Sequence, residues 1–260
     1  MDRLAPQPTH ADDISFMSIC VAVCGSLGTI YLACLGSDFI QDIQDDFSMP
    51  SIGTFLLLYT AFLHSSRSLI LGVHYMLEIL WGCNTSLLMA AMGLLTGRPL
   101  LVGTASLIVG LDQSCWYIDC LGYLVTGRFP LGVAKYLTCP STSWLHFFTA
   151  FHHLWFLPVC LFSLSGRGMP EYSYTFSVVL TSILVIISRT ITPYAVKQGS
   201  AVKIFNINMA YEFWQDVQVG FAHRYNHHHP MVYLPYLIIV CNLALNTLPV
   251  ILLYKIANFM

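Results

Sequence analysis

Charge is scarce in this chain. Asp, Glu, Lys and Arg make up 9% of its 260 residues, where a soluble domain carries roughly 25%. The net charge is −2 and no basic run interrupts it, so nothing here is built to neutralise a phosphate backbone and nucleic-acid binding is not expected. There is no internal repeat and no composition break marking a second, soluble domain. A disulfide framework is also missing. Disulfide scaffolds are small secreted domains, whereas most of the nine cysteines here (Cys20, Cys24, Cys34, Cys83, Cys115, Cys120, Cys160 and Cys241 among them) lie inside apolar runs. Such thiols read as small, reduced core residues.

What is abundant is hydrocarbon, with 56% of residues hydrophobic. The expected fold is all-α, a polytopic transmembrane bundle of six or seven spans. A span needs about 20 apolar residues to cross a ~30 Å core. Runs of that kind occur at 14–35, 69–96, 99–126, 143–165, 172–195 and 231–257. The run 51–66 is marginal, either a full helix with a polar end or a re-entrant segment. Residues 1–13 read as a disordered polar tail, and 14–260 as one bundle. Within it, about 204–222 mixes Phe, Tyr and Trp with acids and amides, which predicts an interfacial segment, a helix lying on the membrane.

With seven spans, Arg3, Arg67, Arg128, Lys135, Lys197, Lys203 and Arg224 fall on one side, opposite Arg98, Arg167 and Lys255. The excess of positive residues predicts a cytosolic N-terminus. Nine of the ten histidines also gather toward that side: His64, His74, His146, His152, His153, His223 and His227 to His229.

Ionisable groups inside spans cost on the order of 3 kcal/mol each and are functional candidates by default. His74 and Glu78 stand four apart, which places them on one helical face, suited to a metal, a proton relay or a plain pair. Asp112, Cys115 and Asp119 form another such face. His146 and His153 share a stripe, with His152 turned away from it. Cys83 sits in Gly82-Cys83-Asn84-Thr85-Ser86, where a base or positive charge would favour its thiolate. Finally, His223-x3-His227-His228 has a spacing that suits a metal, as in the histidine boxes of membrane desaturases.

The run Cys83-Asn-Thr-Ser-Leu-Leu-Met-Ala-Ala-Met-Gly-Leu-Leu-Thr96 resembles the Cys-centred span of the YwaF-like membrane family, which includes an acyltransferase that remodels ether phospholipids. Two further elements follow in the family's order: Phe147-Phe148 with His152 or His153, ahead of a Gly-rich turn and Pro170, and Asn206-x-Asn208-x2-Tyr211 before the last span. The resemblance covers about 70–260. Where the family has Pro-Leu-His-Leu before its cysteine, this chain has Ile79-Leu-Trp-Gly. The resemblance implies Cys83 as the acyl-accepting nucleophile and His152 or His153 as its base. A shorter stretch, His74-x3-Glu78, Asp119 and Leu154-Trp155-x2-Pro158, resembles the EXPERA-type fold of sterol isomerases, which implies a carboxyl-lined cavity.

The leading expectation is therefore a lipid-modifying enzyme of an internal membrane such as the endoplasmic reticulum. It transfers an acyl group to a lysophospholipid with no cofactor. Its chemistry is carried by Cys83, His152 and His153, with His74, Glu78, Asp112 and Asp119 as further candidates. The alternatives are a desaturase or hydroxylase holding iron or zinc on His74, His146, His153, His223, His227 and His228, an EXPERA-like isomerase, and a non-enzymatic lipid-binding or assembly protein.

Overall fold

A computed structural model describes residues 16–40, 42–140, 142–198, 201–218, 220–226 and 228–259. The tail expected over 1–13, and His227, lie outside the described residues. The chain is helical, as expected. Its α-helices are α1 (Phe16–Phe39), α2 (Pro50–Leu71), α3 (Gly82–Thr96), α4 (Pro99–Thr126), α5 (Trp144–Ala150), α6 (His152–Ser163), α7 (Ser173–Ile191), α8 (Pro230–Tyr236) and α9 (Asn246–Phe259). One hairpin, β1 (Ala195–Gln198) with β2 (Ala201–Ile204), pairs antiparallel with Ala195 opposite Ile204.

Among the described residues four helical stretches are long and apolar enough to cross a membrane: Met17–Phe39, Pro50–Leu71, Trp144–Ser163 and Ser173–Ile191. Their outer faces carry exposed large apolar side chains such as Met17, Leu27, Phe55, Leu58, Phe62 and Val179. An apolar surface of that extent is what a lipid-solvated bundle presents.

Helix α4 is the axis of the molecule and packs against α3, α6, α7 and α9. It begins at Pro99, whose missing N–H is harmless in a first turn, and ends on the left-handed Gly127. Small residues let its neighbours approach. A Cβ built on Gly103 would lie 2.3 Å from the Ser173 Oγ of α7, so this contact needs a bare glycine. The central core is drawn mainly from α3 and α4, including Leu87, Met89, Leu94, Leu101, Val102 and Leu107.

The run 51–66, left open between a full helix and a re-entrant segment, belongs to a complete helix, α2. Three sequence expectations change. The run expected as one span over 69–96 is broken instead. α2 stops at Gly72, which has φ of +122°, Val73–Leu80 forms a 3-10 helix, and the chain bends by 70° before α3. Unbroken hydropathy hid that corner. The expected interfacial helix over 204–222 is absent from the described residues. They hold only the short 3-10 turns Ile207–Met209 and Gly220–Tyr225, and Phe205, Phe213 and Val217 turn inward and are buried. Two of the aromatic residues that suggested a membrane surface, Phe205 and Phe213, are thus packed within the protein. The run 231–257 is also divided, into α8, a π-helix over Leu237–Leu245, and α9. Pro235 removes a helical donor there.

Candidate active site

A cavity of about 790 Å³ lies between α3, α4, α6, α7 and the segment 204–217. The bend at Trp81 has a chemical consequence at its wall. It places Cys83 in the first turn of α3, where backbone N–H groups lack helical acceptors and the dipole favours an anion. The Thr85 amide is taken by the Trp81 carbonyl and the Gly82 amide by Asn208 Oδ1 at 2.9 Å. Neither amide of Cys83 or Asn84 has a partner among the described residues.

Opposite Cys83 stand His152 and His153. The thiol sulfur and one nitrogen from each ring lie within 4.8 Å of one another. Local chain breaks explain why both rings are held there. Between α5 and α6 the helix is interrupted, and the Thr149 carbonyl is taken by Tyr59 Oη at 2.9 Å and His152 Nδ1 at 2.8 Å. A carbonyl only accepts, so Nδ1 of His152 carries the proton and Nε2 keeps its lone pair. That Nε2 is buried and without a hydrogen-bond partner among the described residues. One turn on, Pro158 cannot donate to the Leu154 carbonyl, which accepts instead from Tyr117 Oη at 3.3 Å. Gln113 Oε1 takes the Leu157 amide at 3.0 Å. α4 thereby fixes the pitch of α6 at the histidines.

His153 Nδ1 lies 3.3 Å from Asp112 Oδ2 on α4, an ion-pair contact that is out of line for a hydrogen bond. Its ring stacks on Trp116 with centroids 6.0 Å apart. Cysteine, histidine and aspartate thus stand in sequence across α3, α6 and α4, an arrangement in which a base is oriented by a carboxylate. Tyr136, from the loop after α4, lines the same wall. Burial pushes its phenol above the ordinary value, so it stays a neutral donor.

The other candidates take different places. Glu78 is paired with Arg67 of α2, Nη1 to Oε2 at 2.5 Å, both side chains 5% exposed, and Arg67 Nε reaches Thr149 Oγ1 at 2.8 Å. His74 lies with Glu78 in the 3-10 helix Val73–Leu80, which has three residues per turn. Its ring packs on Tyr75 and Phe205. Asp119 is fully buried and accepts the amides of Leu131, Gly132 and Ala134 at 2.6, 3.1 and 2.9 Å, so it holds the loop that carries Tyr136. Glu78 and Asp112 do face the cavity, but Asp119 does not join them. Cys115 lines the wall beside Asp112.

Of the histidines offered as an iron or zinc set, His227 lies outside the described residues and the described ones form no shared group of three. Among the described residues the one group of three or more ligand side chains that converges is Cys83, His152 and His153. His146 faces the cavity beside Tyr136. His223 donates Nε2 to the Val217 carbonyl at 2.6 Å, and exposed His228 turns Nδ1 to the Asn226 carbonyl.

Arg67, Trp116 and Tyr136 were missed from the sequence. Arg67 had a signal, a lone arginine in a short polar stretch between two apolar runs. Asn208, raised by a resemblance alone, proves to be a clamp. Beyond accepting from Gly82, it donates Nδ2 to the Leu80 carbonyl at 2.6 Å and to Ser188 Oγ at 3.0 Å. It does so from a left-handed backbone, φ 54°, a conformation that costs on the order of 1 kcal/mol and marks a position held by its surroundings.

No protein-family model matches the chain, and neither a curated protein sequence nor a solved structure is significantly similar to it.

Proposed function

We propose that this protein is a membrane enzyme that moves acyl groups between phospholipids through a thioester on Cys83. The observation that carries the reading is the meeting of Cys83, His153 and Asp112 at a helix N-terminus, on the wall of a largely apolar cavity inside a lipid-facing bundle. Six or seven spans, counting the bent stretch 73–96, the buried α4 and the segmented C-terminal run, put the cavity within reach of acyl chains. The cytosolic N-terminus and an internal membrane such as the endoplasmic reticulum belong to the same proposal.

In the first half-reaction His153 accepts the thiol proton and the sulfur attacks the ester carbonyl of a phospholipid. The tetrahedral oxyanion faces the Cys83 and Asn84 amides, donors of the kind that contribute about 3 kcal/mol each to such a step. The carbon–oxygen ester bond breaks, and the departing lysophospholipid oxygen takes the proton back from His153. In the second half a different lysophospholipid gives its hydroxyl proton to His153 and attacks the thioester; the carbon–sulfur bond breaks, and the departing Cys83 sulfur takes the proton back from His153. Asp112 steadies the imidazolium in both halves.

The test is transfer of a labelled acyl chain from a diacyl phospholipid to a lysophospholipid by the purified protein in micelles. Transfer that vanishes in Cys83→Ala and persists in Cys115→Ala supports the reading. Undiminished transfer in Cys83→Ala refutes it.

A further inference from the structure

The same three side chains meet a second chemical requirement. A thiolate and two neutral imidazoles are ligands for soft or borderline divalent metals, zinc above all. Two features favour that use. His152 holds its proton on Nδ1 through the Thr149 carbonyl, leaving a buried Nε2 with no partner among the described residues, and a buried lone pair without a donor is costly in any protein. Behind His153 the Asp112 carboxylate stands 3.3 Å from Nδ1, on the side where a ligating ring commonly meets a carboxylate.

The fit is also geometric. In a tetrahedral zinc site the donor atoms are about 3.3 to 3.7 Å apart. Here they lie within 4.8 Å of one another, so rotations moving each atom by about 1 Å close the set. Three protein ligands leave a fourth position on the cavity side.

We infer that Cys83, His152 and His153 form a site for a zinc-like divalent ion, and that filling it reversibly inhibits the enzyme. Binding replaces the Cys83 proton with the metal and engages both ring lone pairs. Nucleophile and base are then occupied together. The inhibitory consequence rests on the thiol chemistry proposed above, whereas the binding does not.

Cobalt is the probe, because a thiolate bound to Co²⁺ absorbs in the near ultraviolet and a tetrahedral site gives strong visible bands. The purified full-length protein in micelles is titrated with Co²⁺ and then with Zn²⁺, and transfer activity is followed alongside. We expect one equivalent of Co²⁺ to give both absorptions and Zn²⁺ to displace it. Cys83→Ser should lose the thiolate absorption. His152→Ala should bind Co²⁺ at least tenfold more weakly, and His223→Ala should bind it unchanged. Activity should fall in step with zinc occupancy and return with a chelator. A thiolate absorption that survives in Cys83→Ser, or none at equimolar metal, overturns the site. Activity that needs zinc overturns the inhibitory role and the thioester reading with it. A Cys83-dependent absorption in a protein with no transfer activity keeps the site and removes the enzyme reading alone.

Discussion

Asp112 and Asp119 are the same residue on the same face of one helix, two turns apart, yet their surroundings separate them. Asp119 is fully buried and its oxygens accept three backbone amides. Asp112 keeps 35% of its side chain exposed and faces a single imidazole at 3.3 Å. The first carboxylate is saturated and holds a loop. The second has capacity left and looks into a cavity toward a histidine and a thiol. Buried polar groups that hold a fold are fully partnered, so unspent capacity is the better marker of chemistry. Arg67–Glu78 and the Cys83 cluster divide in the same way.

The sharpest break in this comparison comes at Cys83. Cys83→Ala removes the nucleophile and is expected to lower transfer at least 10⁴-fold, about 5.5 kcal/mol, with the melting temperature near that of the parent. Arg67→Ala should do the opposite. It takes the guanidinium away from the buried Glu78 carboxylate and should destabilise by about 3–5 kcal/mol, read as a large fall in melting temperature, whereas an Arg67→Met, Glu78→Leu double variant should recover most of the loss. Asp112→Asn should lower kcat about 10²-fold with little change in melting temperature, a milder effect than in a fully enclosed triad because the contact is long and part-exposed. Asp119→Asn, which turns an NH₂ toward backbone donors, should cost about 2 kcal/mol of stability and leave kcat per folded molecule unchanged. A large loss of kcat in Asp119→Asn without destabilisation would erase the distinction between the two aspartates.

The smallest effect belongs to the surface pair Arg167–Asp46, 2.9 Å apart. Hydrogen bonding from Arg167 holds the Asp46 carboxyl below its ordinary range. A lowered carboxyl pKa gives a contribution that is complete above the ordinary value, roughly 4, and disappears as pH falls through the lowered one. Between pH 5 and 8 the melting temperature of Asp46→Asn should therefore track that of the parent.

Much of the frame was legible in the sequence because hydrophobic length and proline position decide it. α4 runs from Pro99 to just before Gly127, and α7 stops ahead of Pro193. The corner at Gly72 and Trp81 was not legible, since Val73 to Leu80 is as apolar as the helix it interrupts. That corner changes the local period from 3.6 to 3.0, so the i, i+4 face drawn for His74 and Glu78 does not apply there. The segment 204–217 was misread for a related reason, because aromatic residues suit a membrane surface and a protein interior equally well. Cys83, Asp112, His152 and His153 each stood out as polar groups inside apolar runs, but their meeting is a tertiary fact. The separate roles of the two histidines depend on a carbonyl freed by a helix break at Phe151, which no spacing rule reveals.

The central claim is that Cys83 carries the acyl group, and intact-mass analysis tests it most directly. Purified protein is incubated with a diacyl phospholipid donor and no acceptor, then digested and mapped. The account predicts one added acyl chain on Cys83, removable by neutral hydroxylamine and discharged when lysophospholipid is supplied. An acyl chain found only on another residue, or transfer proceeding at full rate with no adduct at Cys83 and none formed without acceptor, would contradict it.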